Sequence, residues 1–192
     1  LSGAAASLNF AGGVYSGGTP ISPKDMAELM TYTRSGTATD LYPWSASGAA
    51  YQTFAANAPR IEAGKGYYSE VAATNSLLNS AAPATQSVSL TAGMFVLWVN
   101  GPGQAAVTAG TAVLGPNGVS PDNDRIAVHG RFAAFEVITA GTVTVTVTGT
   151  LQAFQLEAGS WPTSFIPTTG VAATRGADTV NLAGAALAVC DG

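Results

Sequence analysis

Charge is what this sequence has least of. Only 9% of its 192 residues are Asp, Glu, Lys or Arg, against roughly 25% in an ordinary globular chain. Seven Lys and Arg against eleven Asp and Glu leave a formal net charge of −4. No basic stripe is available to follow a phosphate backbone, so nucleic acid is not an expected ligand. The single cysteine, Cys190, excludes an internal disulfide framework and a thiolate metal cluster. The single histidine, His129, would need carboxylates or other chains to complete a zinc site, so a surface or core role is expected for it. Long apolar runs are missing too. The longest, Met94 to Val99, has the length of a strand and falls far short of the ~20 residues of a membrane-spanning helix. No Gly-x-Ser-x-Gly elbow, phosphate loop or dinucleotide fingerprint occurs. Asp122, Asp124, Glu136 and Glu157 supply carboxylates, but none in a recognisable glycosidase setting. The chain is expected not to be an enzyme, to use no cofactor and to bind no metal.

What is present is a surface made of Thr, Ser, Asn, Gln, Gly and Ala around an ordinary apolar fraction of 47%. Such a composition is not that of a disordered chain. It suits extracellular or particle-bound β proteins that pack closely against copies of themselves, because charge is depleted where subunits meet. The chain opens at Leu1 without a Met, which reads as an excerpt or a processed product.

The organising stretch is Thr139 to Thr168. In it Val143, Val145 and Val147 alternate with Thr142, Thr144, Thr146 and Thr148. Strand side chains point to opposite faces with period two, which predicts one buried valine stripe and one solvated threonine stripe. Leu151, Ala153, Phe154 and Leu156 resume the pattern with a shift of phase, predicting a bulge or a strand covered on both faces. Upstream, Val88 and Leu90 alternate with Ser87 and Ser89. The tripeptide Thr-Ala-Gly recurs at Thr91, Thr108 and Thr139, each time beside a strand-like run, and reads as repeated turn chemistry. The seven or eight short strands after Gln86 match a two-sheet jelly-roll.

The first part is less regular. Leu8-Asn9-Phe10 reads as a short edge strand. Ser22-Pro23-Lys24-Asp25 reads as a helix start, with Ser as N-cap, Pro at the first helical position and an acid three residues after the cap. Met26, Leu29 and Met30 would lie on one side of that short helix. The predicted fold is all-β, an antiparallel β-sandwich of jelly-roll type with an irregular N-terminal segment containing one helix. Its expected divisions are residues 1–30 as an attachment segment, 31–84 as irregular hairpins and a linker, 85–168 as the sandwich and 169–192 as a tail.

Several pieces resemble a family of bacteriophage and prophage virion proteins with a carbohydrate-binding-module-like jelly-roll, found as minor structural, tail-fibre or head-fibre components. The most specific is Gln155-Leu156-Glu157-Ala158-Gly159-Ser160-Trp161-Pro162-Thr163-Ser164-Phe165-Ile166-Pro167-Thr168, similar to that family's closing strand and exit loop. Thr33-Arg34-Ser35 and Asn57-Ala58-Pro59-Arg60 resemble its upstream markers, and the likeness covers most of the chain. It departs at Gly66-Tyr67-Tyr68-Ser69-Glu70, where the family carries a longer acidic, leucine-rich segment. The resemblance implies a virion fibre or spike on the particle surface, other virion proteins as partners, a homo-oligomer, and adhesion to a bacterial surface polysaccharide. The alternative is a purely structural connector or decoration protein.

Candidate binding residues follow from the turns. Trp44, in a Pro-Ser-Gly turn near Tyr42 and Tyr51, reads as an exposed aromatic contact for a ligand or a neighbouring subunit. Asp122, Asn123 and Asp124 offer polar loop contacts and, less simply, oxygen ligands for calcium, although ordinary turn chemistry also explains them. Trp161 and Phe165, locked between Pro162 and Pro167, read as closing the end of the sandwich. The alternative for that pair is a stacking platform for a sugar ring. Trp98 reads as core or sheet face.

Overall fold

The structure, a computed structural model, describes residues 6–9, 14–17, 22–23, 30–39, 53–62, 66–115 and 125–182. Among them there is no helix. The strands, in chain order, are β1 (Ala6–Asn9), β2 (Val14–Gly17), β3 (Ser22–Pro23), β4 (Met30–Thr33), β5 (Ala38–Thr39), β6 (Thr53–Phe54), β7 (Arg60–Glu62), β8 (Gly66–Tyr68) and β9 (Ala73–Asn75). They continue as β10 (Gln86–Leu90), β11 (Gly93–Asn100), β12 (Gln104–Ala109), β13 (Val113–Leu114), β14 (Ile126–Val128), β15 (Ala133–Thr139), β16 (Gly141–Thr148), β17 (Ala153–Ala158), β18 (Ala173–Arg175) and β19 (Thr179–Leu182). The chain divides into two compact units. One is Thr39–Thr53 with Ala73–Arg175, and the other is Leu1–Ala38 with Phe54–Ala72 and Gly176–Gly192.

The larger unit is an antiparallel sandwich. A first sheet runs β10-β16-β12-β14 and a second runs β13-β15-β11-β17. From β10 to β17 every successive strand lies in the other sheet, so the chain crosses the core at each connection. The predicted valine stripe is the reason the sheets meet. Val143 and Val145 are fully buried and Val147 is partly so, while Thr146 and Thr148 are exposed. Opposite them, Phe95, Leu97, Val99, Phe135, Phe154 and Leu156 complete one core, with the Phe95 and Phe135 rings 6.1 Å apart. Burying a side chain of this size contributes roughly 1.5–3 kcal/mol. Leu77 joins the same core, whereas its neighbour Leu78 is exposed.

All three Thr-Ala-Gly tripeptides sit at one end of the sandwich, where the chain passes between sheets. Gly93 lies opposite Val137, Leu90 opposite Gly141, and the Gly110 N–H donates to the Thr142 carbonyl at 2.9 Å. Gly141 is required there by space: a Cβ would stand 2.5 Å from the Ala112 nitrogen.

β17 resolves the phase shift noted in the sequence. From Ala153 to Glu157 every side chain is buried, so the strand is covered on both faces. Phe154 and Leu156 face the core between the sheets. Ala153, Gln155 and Glu157 face outward beneath the segment that follows the strand. Period two does the same on β11, where Trp98 points away from Leu97 and Val99. Trp98, Ala153 and Phe165 form a second apolar cluster, with Phe132 packed against it.

The expected helix is a correction. Ser22 and Pro23 form β3, paired with Ser16 and Gly17, and Met30 opens β4; residues 24–29, with Met26 and Leu29, lie outside the described residues. Ser-Pro is N-cap chemistry, but Pro is equally at home on an edge strand, where its missing N–H faces away from the ladder. β3 is such an edge.

In the smaller unit β4 pairs with β19, and β7 with β8. Its centre is a buried ionic network. The Arg34 guanidinium lies 3.3 Å from the Asp178 carboxylate and donates to the carbonyls of Ala55 (2.6 Å) and Phe54 (3.2 Å). Tyr32 hydroxyl accepts from Arg34 and donates to Asp178. Asp178 also accepts from the Glu70 N–H at 2.9 Å, and Glu70 pairs with Arg60 at 2.9 Å. Asn57, in the left-handed region at φ 56°, accepts from the Arg34 N–H at 3.1 Å. A buried charge is tolerable only when paired and hydrogen-bonded, and the contacts of the Arg34 guanidinium and the Asp178 carboxylate serve that end.

Candidate functional site

Trp161 stands out in the sandwich unit because it is 73% exposed while the loop on either side of it is tied down. The ties come from β17. Glu157, fully buried, accepts from the Thr163 N–H at 2.7 Å and from the Thr163 hydroxyl at 2.6 Å. Gln155 accepts from the Ile166 N–H at 2.7 Å and donates to the Ser164 carbonyl at 3.2 Å. The Thr39 hydroxyl donates to the Phe165 carbonyl at 2.8 Å. These bonds lay the segment from Trp161 to Thr168 along the outward face of the second sheet. Phe165 then drops onto Trp98, ring centroids 5.8 Å apart in an edge-on arrangement, and both are buried.

Trp161 does not follow Phe165 inward. Its ring rests on Phe132, centroids 5.4 Å apart and planes tilted by 58°. Phe132 is itself half-buried against the second cluster. The result is an aromatic ledge, open to solvent above and seated on packed side chains below. The turn leading to Phe132 is tight: Val128 and Arg131 exchange both backbone bonds, at 3.0 and 2.9 Å, around exposed His129 and Gly130. An exposed indole held this way presents a flat, weakly polar surface together with an N–H donor at its edge.

The loop predicted to close the sandwich therefore divides its work. Phe165 closes, and Trp161 is left open. Nothing local in the sequence marks Phe132 as the support for a residue twenty-nine positions later. Trp44, Tyr42 and Tyr51 lie within residues 40–52, and Asp122, Asn123 and Asp124 within residues 116–124, all outside the described residues. Glu136 is exposed on β15, and Glu157 is engaged by Thr163. Among the described residues no three His, Cys, Asp or Glu side chains group as metal ligands.

Further buried polar side chains staple β17 and the loop that follows it. Asn75 in Thr74-Asn75-Ser76 donates to the carbonyls of Ile166 (3.0 Å) and Phe154 (3.3 Å) and accepts from the Leu156 N–H at 3.2 Å. Ser80 and Thr168 exchange bonds at 2.7 and 3.0 Å. Physically they are framework, and the ledge is what that framework holds up.

The class these features define is an antiparallel β-sandwich with an exposed aromatic ledge on one sheet. Beyond that class, the chain matches no family model, no curated protein and no solved structure.

Proposed function

We propose that the chain is a non-enzymatic component of a phage or phage-like virion fibre or spike, a jelly-roll module that holds a bacterial surface glycan at the particle surface. The jelly-roll reading is supported by the alternation of successive strands between sheets. A second support is β9, which pairs with β18 and is followed by a 2.8 Å bond from the Ser76 N–H to the Leu156 carbonyl, bringing a further strand beside β17.

One observation carries the glycan reading: Trp161 is open to solvent while the Phe132 ring beneath it is packed on the second cluster. A pyranose ring offers a face of C–H groups that lies well on an indole, and an exposed Trp with no such task is a solubility liability. A single stacked ring binds weakly, and several copies on one particle raise the apparent affinity by orders of magnitude. The expected test is a bacterial glycan array probed with the multivalent chain. Trp161→Ala should weaken each site about tenfold, which is ~1.4 kcal/mol, and abolish array signal while the circular dichroism spectrum and cooperative unfolding are retained. Equal binding by the variant overturns the reading. A purely structural connector or decoration protein is the second reading, favoured by the absence of any charged residue from β10, β12, β14 and β16 of the first sheet, and an array silent towards the multivalent chain selects it.

A further inference from the structure

The first sheet ends in a hollow. It lies away from the Thr-Ala-Gly corners, where β11 turns into β12 and β16 leaves the sheet, and it measures about 470 Å³. That is within the range of small-molecule sites. Gln104 on β12 lies opposite Thr148 on one side and Val128 on the other, so the three form one row across the sheet. Their chain neighbours Ala105 and Ala127 are fully buried in the core. Period two therefore turns Gln104 and Val128 to the outward face, with exposed Thr148 beside them and exposed His129 following. The floor is main chain. A Cβ on Gly103 would stand 2.6 Å from the Thr148 carbonyl oxygen, and one on Gly149, at φ 76°, would stand 3.1 Å from the Gly103 Cα. The two glycines pack backbone on backbone and put no side chain into the hollow.

We propose that this hollow binds one N-acetylated sugar unit. Its lining argues against charged ligands. It holds no carboxylate to meet a cation, and its one ionisable side chain, His129, is open to water, where a single charge is screened. What remains is a hydroxyl, an amide and an isopropyl group in one row. A carboxamide offers a donor and an acceptor side by side, the complement of another amide. Among the described residues, none hydrogen-bonds the carboxamide of Gln104. The half-buried Val128 isopropyl next to it suits a methyl group. Amide and methyl together are an acetamido group. Thr148 beyond Gln104 and His129 beyond Val128 supply polar groups for ring hydroxyls. A sugar without the acetamido group would set a hydroxyl against Val128. An extended peptide would need a free strand edge for its ladder, and β12 lies between β16 and β14. The inference goes beyond the glycan reading, because it uses none of the ledge's residues and lies on the other sheet.

The test is an NMR titration of the full isotope-labelled chain with the methyl glycosides of N-acetylglucosamine and N-acetylgalactosamine. Methyl glucoside and N-acetylalanine methylamide serve as controls for the ring and for the amide. At least one acetamido sugar, at millimolar concentration, should shift the amides of Gly103, Gln104, His129 and Gly149, and each control should bind about tenfold more weakly. Gln104→Leu should raise that sugar's dissociation constant about tenfold with the rest of the spectrum retained. Trp161→Ala should leave these shifts unchanged, so failure of the ledge and failure of the hollow are told apart. No shift at the hollow from either acetamido sugar, or equal shifts from methyl glucoside, overturns the proposal. A response to N-acetylalanine methylamide as strong as to the sugar assigns a peptide ligand and overturns it too.

Discussion

Glu157 shows how a carboxylate sealed inside a β protein can be explained without chemistry. Its two oxygens take the N–H and the hydroxyl of one residue, Thr163, and so fix where the exit loop begins. Removing the acceptors would leave two donors of a half-buried residue unsatisfied, which costs about 1–3 kcal/mol. Glu157→Leu should therefore lower the unfolding free energy from a urea titration by that amount, followed through tryptophan fluorescence. Thr163→Val in the same background should add much less than it does alone, because the two changes remove one interaction. Additive losses would mean that the pair is incidental. Arg34 illustrates the costlier case, a buried cation whose partners, Tyr32, Asp178 and the carbonyls of Phe54 and Ala55, come from three separate stretches of chain.

At the scale of elements, the parts legible in the sequence are those whose pattern is local. The alternation on β16 fixes both the strand and its buried face, and the lost alternation on β17, open in the sequence between a bulge and a strand covered on both faces, is the second. The Thr-Ala-Gly corners were readable as turns. That they gather at one end was not, because it depends on strand order. The helix at Ser22 failed for a physical reason: a cap-like Ser-Pro pair is neutral between a helix start and an edge strand, and pairing with β2 decides it. Trp161 was ambiguous because Pro and Ser neighbours do not say which aromatic of a loop turns inward. The corners carry a sharp expectation. Gly141→Ala puts a methyl against the Ala112 backbone and should cost about 1–3 kcal/mol. Gly170→Ala, where the methyl meets open space, should be nearly neutral in the same urea titration. Equal effects would contradict the close crossing at that corner.

For the whole molecule, the scarcity of charge that opens the sequence acquires a location. It is concentrated in one sheet, while the open indole stands on the other, and the few arginines are drawn into burial, with Arg34, Arg60 and Arg175 all enclosed. The proposed fibre module would use the open indole as its outward binding surface. The most direct measurement is iodide quenching of tryptophan emission in a Trp44→Phe background, which leaves Trp98 and Trp161. Without ligand, one fraction of the emission should be readily quenched and the other protected, with Trp161→Phe removing the quenchable fraction. Saturation with the polysaccharide selected on the array should shield that fraction. Bound glycan that leaves the quenching of Trp161 unchanged would contradict the ledge as the binding surface.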